Sequence, residues 1–145
     1  MMPDAIELVI VTPEKQLLRG KAAGVQMPGE NGYLGILPGH APLMTELGIG
    51  ELSYQDMGGK ESVHVAIVRG FAEVLPDRVT ILAETAERAE EIDVQRAKDA
   101  LARAEKRLAS NDPNIDWDRA NIALQRALMR VQVGTKKRSA LVAGA

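Results

Sequence analysis

An abrupt change in sequence pattern near residue 84 divides the chain into two parts that require different folds. Before it, Ile6, Leu8 and Ile10 alternate with their neighbours in the period of two that marks a half-buried β-strand. After it, glycine is absent until Gly134, and alanine, glutamate, arginine and leucine predominate, as in helices. The pattern predicts a β + α chain, with an N-terminal β-sandwich followed by a C-terminal antiparallel two-helix hairpin.

Short strands separated by glycine and proline are expected throughout the first part. They cover residues 6–11, 16–21, 23–27, 33–37, 43–47, 50–55, 63–68, 71–75 and 79–83. Turn signals such as Asn31-Gly32 and Pro76-Asp77 lie between them. Many short strands at close spacing favour a sandwich or barrel.

The second part is interrupted once, at Ser110-Asn111-Asp112-Pro113, because Pro113 cannot continue a helix. Two helices joined by a short turn normally pack against each other. We therefore expect a sandwich head over residues 1–84, a helical hairpin over 85–134 and a flexible basic tail over 135–145.

Composition excludes several classes of function. The net charge of −2 argues against a nucleic-acid binder, and the absence of cysteine removes thiolate nucleophiles and thiolate metal sites. No stretch approaches the roughly 20 apolar residues that span a bilayer, so any membrane link is expected to run through a partner protein. The two histidines lie far apart, and no catalytic or metal-binding motif is present, so we expect neither an enzyme nor a metal site.

An internal repeat relates the two expected helices. Residues 92–108 and 115–131 share the strings Ile-Asp-x-x-Arg-Ala and Ala-Leu-x-Arg-Ala at matching positions. Asp93 and Asp116 suit the N-cap, where a carboxylate accepts hydrogen bonds from the unpaired N–H groups of the first turn. Part of the repeat is therefore a helix-start signal.

Each repeat also carries three arginines that capping does not explain. They are spaced seven and four residues apart, which places each trio within a wedge of about 40° beside an alanine-rich stripe. The arginines of the two ridges repel one another when the hairpin closes. A polyanion between the ridges would relieve this repulsion through bidentate contacts with the guanidinium groups. Alternatively, the arginines pair with nearby carboxylates as a solvated face. The arginines are Arg96, Arg103, Arg107, Arg119, Arg126 and Arg130, and the carboxylates are Glu90, Glu91, Asp99, Glu105, Asp112 and Asp118.

Residues 28–43, PGENGYLGILPGHAPL, resemble the hallmark segment of the epsilon subunits of bacterial and chloroplast F-type ATP synthases. The strings VTPEK at 11–15 and VTILAETAE at 79–87 are also similar to that family. The resemblance extends from about Ile6 to Val133. Arg69 stands where the family more often has a glycine.

The resemblance implies a non-catalytic subunit whose head binds the central gamma subunit and the membrane-embedded c-ring. It places the rotor interface at Gly29, Gly32, Gly35, His40, Ala41 and Pro42. A simpler role for His40 is a ring that holds the Pro-Gly-His-Ala-Pro turn by a hydrogen bond. The implied location is peripheral, at the cytoplasmic side of the cell membrane, within a complex that carries out proton transport and ATP synthesis.

For the hairpin, the resemblance implies two states. The helices are either folded, or extended toward the catalytic alpha and beta subunits, where they inhibit ATP hydrolysis. No cofactor is required, but ATP is implied as a regulatory ligand of the folded hairpin. The residues that match are Ile92, Asp93, Arg96, Ala97, Arg119, Arg126 and Arg130. A stand-alone nucleotide sensor, or an adaptor without nucleotide dependence, remains the alternative.

Overall fold

The computed structural model describes residues 3–58 and 61–144, with side chains as far as residue 136. The chain forms two compact units that divide between Arg88 and Ala89. This boundary falls later than residue 84, where the composition changes, because the last strand continues to pair as far as Arg88, opposite Val65.

The first unit is a six-stranded sheet, antiparallel except for one parallel pair of strands, that closes on itself. The strand order is β1-β6-β5-β4-β2-β3, and β1 pairs with β6 in parallel and with β2 in antiparallel. Closure by β1 turns the sheet into a flattened barrel, so the expected β-sandwich is confirmed. The strands are β1 (Ile6–Val11), β2 (Gln16–Gly29), β3 (Gly32–Ile36), β4 (Leu43–Asp56), β5 (Ser62–Val74) and β6 (Arg78–Arg88).

The strands are fewer and longer than the sequence pattern predicts. The expected strands 16–21 and 23–27 are one strand, β2, and the pairs 43–47 with 50–55 and 63–68 with 71–75 merge into β4 and β5. Glycines inside these strands bend the chain without ending the ladder, and the register of β2 against β4 shifts beside Gly24. Glycine therefore marks bends here rather than strand ends.

A continuous apolar core fills the barrel. Ile6, Leu8 and Ile10 are fully buried, which confirms the period-two prediction for β1. Inward-facing residues of every strand complete the core, the largest being Met27, Ile36, Leu52, Val65, Ile67, Val74, Val79 and Ile81.

Strand β5 contains an unusual backbone bend at Arg69-Gly70. Arg69 has φ 53° and Gly70 has φ 142°, so both residues lie in the region that favours glycine. A Cβ atom at Gly70 would lie 2.0 Å from the carbonyl oxygen of Leu82 on the neighbouring strand. Gly70 is therefore required, whereas Arg69 holds a left-handed conformation at a cost of about 1–2 kcal/mol.

Replacing Arg69 by glycine should stabilise the head. Glycine reaches φ 53° without strain, so the folded state gains the strain energy that arginine stores there. This gain exceeds the cost of the extra conformational entropy that glycine gives the unfolded chain, so the net increase in the free energy of unfolding is about 0.5–1 kcal/mol. Urea denaturation would measure the change. The control is Lys21→Gly, because Lys21 is an exposed strand residue with an ordinary φ and should lose stability on the same substitution. A loss of stability in Arg69→Gly would contradict the assignment of strain.

The second unit contains a short 3₁₀ turn and two helices. The turn is Ala89–Glu91, helix α1 is Val94–Ala109 and helix α2 is Trp117–Gly144. Residues 110–116 connect the helices at the predicted break. The backbone of Gly134 in α2 lies beside the side chains of Ile92 and Val94 at the start of α1, so the helices run antiparallel, as predicted.

Helix α2 does not end at residue 134. Its backbone is helical to Gly144, so the expected tail begins within a helix. The flexibility of residues 135–145 stays a prediction, and the side chains from residue 137 onward lie outside the described residues.

Candidate functional site

Both copies of the repeated string begin a helix. The Asp93 carboxylate accepts a hydrogen bond from the Arg96 N–H at 3.0 Å, and the Asp116 carboxylate accepts one from the Arg119 N–H at 3.1 Å. The two predicted caps are thus confirmed with nearly equal geometry. The aspartates are engaged with backbone N–H groups and make no ion pair among the described side chains.

The helices contact each other through alanine. Each helix buries two alanines, Ala97 and Ala104 in α1 and Ala120 and Ala127 in α2. In the repeat, Ala97 corresponds to Ala120 and Ala104 corresponds to Ala127. Alanine lets two helices approach closely but removes little apolar area from water, so each contact contributes little at about 25 cal/mol per Å². The hairpin is therefore closely packed along this line but weakly held by it.

The arginine ridges lie on one face of the hairpin. Four of the six ridge arginines come immediately before a contact alanine in the sequence. Because one residue turns an α-helix by about 100°, each ridge is rotated by about 100° from the line of contact alanines. The direction of this rotation is the same on both helices. Two antiparallel helices with the same pattern are related by a two-fold axis perpendicular to the plane that contains them. This rotation keeps a given face on its own side, so both ridges project from the same side of the hairpin, here called the arginine face.

Most of the arginine face is not neutralised by the side chains that the structure describes. Among the described side chains, Arg96, Arg103, Arg107, Arg119 and Arg126 form no ion pair. The sixth, Arg130, is half-buried and has a partner within the chain. The nearby carboxylate of Asp112 accepts the backbone N–H of Asn114 at 2.9 Å instead. The alternative of a solvated, self-paired face is therefore not supported for five of the six arginines.

The residues predicted to bind nucleotide fall into two groups. Arg96 and Arg130 lie toward the open end of the hairpin, where α1 begins and α2 passes Gly134, and Arg126 lies one helical turn further along, about midway between Arg119 and Gly134. Arg119 lies at the turn end, because about 16 Å of helix axis separates it from Arg130. Ile92 and Ala97 are buried, so they pack the hairpin rather than present a side chain to a ligand.

Gly134 is the position that lets α2 meet the start of α1. A Cβ atom there would lie 2.7 Å from Val94 Cγ2 and 3.1 Å from Ile92 Cγ2. Both neighbours are β-branched and buried, so neither moves aside easily. Sequence reasoning took Gly134 only as the end of the helical region and missed this contact.

Replacing Gly134 by alanine should open the hairpin while favouring helix in α2. Alanine raises helix propensity by about 1 kcal/mol, whereas the contact with Val94 costs about 1–3 kcal/mol of closed hairpin. Amide hydrogen exchange should therefore become faster in the first turn of α1 but not in the middle of α2. Adding Val94→Ala, which removes the nearest methyl group, should restore part of the protection. Unchanged exchange in α1 would contradict the contact.

One end of the head is built from loops. Residues Leu37 to His40 form a type II turn, with Pro38 at the second position, Gly39 at the third with φ 89°, and the His40 N–H donating to the Leu37 carbonyl at 3.1 Å. The Gly39 N–H donates to the Pro76 carbonyl at 2.7 Å and ties this loop to the β5–β6 turn. The His40 ring bonds the Ala41 carbonyl through Nδ1 at 2.7 Å, as expected for a turn-holding side chain.

The predicted rotor residues occupy three places in the head. His40, Ala41 and Pro42 share the loop before β4, and Ala41 and Pro42 are exposed. Gly29 and Gly32 pair across the tight β2–β3 turn, where a Cβ at Gly29 would lie 2.7 Å from the Gly32 carbonyl oxygen. Gly35 lies inside β3, opposite Gln26, with open space around it.

The structure adds an exposed apolar patch that sequence reasoning missed. Phe71 and Leu82 are direct cross-strand neighbours on the outer face of β5 and β6, and they are 49 % and 53 % exposed. Met44, 65 % exposed, lies on the same face of β4. Their alternation with the buried Ala72 and Ile81 was the signal that could have revealed this patch, here called the outer patch.

Acidic residues border the outer patch. Glu46 pairs with Phe71 across the β4–β5 ladder, and Glu73 pairs with Met44. The Glu30 carboxyl raises the pKa of Glu46, first through a side-chain hydrogen bond and then through like-charge repulsion. A cationic group from a partner would relieve this repulsion.

Comparison with known proteins agrees with the two units. The family model described as ATP synthase, Delta/Epsilon chain, beta-sandwich domain matches residues 5–89. The model described as ATP synthase, Delta/Epsilon chain, long alpha-helix domain matches residues 90–134. A β-sandwich joined to a helical hairpin is thus the class of protein that the fold defines. The chain belongs to the ATP synthase Delta/Epsilon chain family.

Individual relatives support this assignment. An ATP synthase epsilon chain from Koribacter versatilis is 60 % identical over 112 residues, which cover 77 % of this chain and 78 % of the relative. One from Solibacter usitatus is 48 % identical over 136 residues, covering 94 % of this chain and 100 % of the relative. The predicted resemblance and the prediction of a non-catalytic ATP synthase subunit are confirmed, and a stand-alone module is not supported.

Two solved assemblies contain similar chains. A chain of the Euglena gracilis mitochondrial ATP synthase OSCP/F1/c-ring structure superposes with a TM-score of 0.75 at 26 % identity, covering 97 % of this chain and 84 % of that chain. A chain of the Tetrahymena thermophila mitochondrial ATP synthase central stalk/c-ring structure has a TM-score of 0.56 at 18 % identity, covering 91 % and 95 %, and shares the fold.

Two features are absent from residues 3–58 and 61–144. None of the helices there is long and apolar enough to cross a membrane. In the same part of the chain, no three histidine or carboxylate side chains cluster as metal ligands.

Proposed function

We propose that this chain couples the rotor of ATP synthase to the catalytic head and inhibits ATP hydrolysis through a mobile hairpin that senses ATP. The observation that carries the proposal is an arginine face on which five guanidinium groups form no ion pair with the side chains that the structure describes, on a hairpin whose contact line is rich in alanine. Such a hairpin is poised between states, because its closure buries little area and brings like charges together.

ATP is the regulatory ligand in this proposal. Its triphosphate neutralises Arg96 and Arg130 at the open end and Arg126 one turn further along α2, and so stabilises the folded hairpin. A ligand that binds only the folded form stabilises it by about 2.7 kcal/mol at a hundredfold excess over Kd. When ATP falls, the hairpin extends, and its unneutralised arginines dock on acidic surfaces of the catalytic alpha and beta subunits and inhibit hydrolysis.

Loss of the open-end arginines should abolish the response to ATP. In the intact chain, ATP at a hundredfold excess over Kd should slow amide exchange of the hairpin by about a hundredfold. Arg126→Gln with Arg130→Gln should remove that effect, because both guanidinium groups are lost. The matched control is Lys98→Gln with Lys106→Gln, which removes the same charge from exposed positions off the arginine face. Equal protection in the arginine variant would refute ATP sensing at this end.

The outer patch is the proposed docking surface for the gamma subunit. Phe71, Leu82 and Met44 supply exposed apolar area, and Glu30, Glu46 and Glu73 supply a charged rim that suits a basic partner. The loop of His40, Ala41 and Pro42 is the proposed contact with the c-ring. In this arrangement the subunit is peripheral to the cell membrane on its cytoplasmic side, within a complex that couples proton transport to ATP synthesis.

Charge placed in the outer patch should prevent assembly with the central stalk. Phe71→Asp with Leu82→Asp should reduce capture of the recombinant gamma subunit by about a hundredfold or more, because buried unpaired charge is costly. Met57→Asp serves as the control, since Met57 is also exposed but lies in the β4–β5 turn away from the patch. Undiminished capture by the double variant would place the docking surface elsewhere.

A further inference from the structure

The bend at Arg69-Gly70 decides which side chains of β5 lie outside the head. Ile67 and Ala72 are both fully buried in the core, although they are five residues apart. A strand with unbroken alternation buries residues that lie an even number of positions apart. The bend therefore reverses the alternation, and Phe71 is exposed because of it.

Three exposed residues follow one another along the outside of β5. Arg69, Phe71 and Glu73 are spaced two residues apart, so each lies up to about 7 Å from the next. They present a cation, an aromatic ring and an anion in that order. Phe71 belongs to the outer patch, with Leu82 beside it on β6. The patch thus has a basic end at Arg69 and an acidic end at Glu73.

The guanidinium group of Arg69 is not occupied by the side chains that the structure describes. Glu84 stands opposite Arg69 on β6 and is also exposed. The two form no ion pair, and neither side chain has another polar partner among the described residues. Glu46 on β4, beside Phe71, shares a hydrogen bond with Glu30 that raises the pKa of Glu46. The donors of Arg69 are therefore available to a partner.

The chain holds an arginine at this position although glycine would suit the backbone better. Arg69 has φ 53°, in the left-handed region where a side chain causes strain and glycine does not. Because the Arg69 side chain is exposed, no packing within the head compensates for this strain. Strained residues of this kind cluster at functional contacts. Arginine is also among the residue types that are enriched in protein–protein interfaces.

We propose that Arg69 binds a carboxylate of the partner that covers the outer patch, and that the order of charges along β5 fixes the orientation of this partner. The inference rests on the proposed docking of the gamma subunit at the outer patch. A guanidinium group matches a carboxylate through two parallel hydrogen bonds, which lysine cannot form. A partner with an acidic group at Arg69 and a basic group at Glu73 fits, whereas the reversed orientation brings like charges together.

Replacing Arg69 by glycine in the full chain should change stability and binding in opposite directions. The head should become more stable in urea because the strain is relieved. Capture of the recombinant gamma subunit should weaken by about tenfold or more, because a charge-assisted contact is lost. Arg69→Lys, which keeps the charge but loses the paired donors, should bind more weakly than the natural chain and more tightly than Arg69→Gly. Unchanged or stronger capture by Arg69→Gly would overturn the proposal, since a residue with only a structural role does not weaken binding while the head gains stability.

Exchanging the two charges tests the orientation at constant net charge. Arg69→Glu with Glu73→Arg should weaken capture by about a hundredfold or more, because each end then meets a like charge. The matched control is Glu84→Gln, which changes the charge beside Arg69 without removing the proposed contact and should not weaken capture. Far-UV circular dichroism would establish that both variants fold. Undiminished capture by the exchanged variant overturns the proposed order of charges, and so does an equal weakening by Glu84→Gln.

The proposed docking surface is tested separately by Phe71→Asp with Leu82→Asp. Loss of capture in that variant, together with full capture by Arg69→Gly and by the exchanged variant, would leave the docking surface standing and overturn the role of Arg69. Undiminished capture by Phe71→Asp with Leu82→Asp would refute the docking surface, and the role of Arg69 would fall with it.

Discussion

The alanine contact between α1 and α2 is the constraint on which the arrangement of the hairpin depends. Because Ala97, Ala104, Ala120 and Ala127 are buried along the middle of the hairpin, the helices approach closely and hold a defined rotation about their axes. That rotation brings both arginine ridges to one side. The same contact buries little apolar area, so the alanines alone contribute little to the stability of the closed hairpin.

The head depends on bends within its long strands. Long strands can close into a small barrel only if they bend, and the bends fall at Gly24, Gly70 and the strained Arg69. The resulting rigid barrel leaves apolar side chains outside at the outer patch while its own core is filled. In the proposed function, coupling to a partner falls to the head and sensing of a ligand falls to the hairpin.

Sequence reasoning anticipated some elements and failed at others for definable reasons. The N-caps at Asp93 and Asp116 follow from local hydrogen-bonding rules and were found correctly. The merging of residues 43–47 and 50–55 into β4 was not foreseen, because glycine was taken as a strand end when pairing with β5 carries the ladder through. The outer patch was missed because the partners of Phe71 and Leu82 depend on register. Gly134 was missed because its neighbours lie far away in the sequence.

The sequence by itself determined the two-part architecture, the helix starts and the presence of an arginine ridge on each helix. These features follow from short-range periodicity and from capping, which each segment carries alone. The tertiary structure alone decided that the ridges share a face and that five of the arginines have no ion-pair partner among the described side chains. Those facts depend on how two distant segments are oriented against each other, and the rotation of a helix about its axis is set by the residues that it buries.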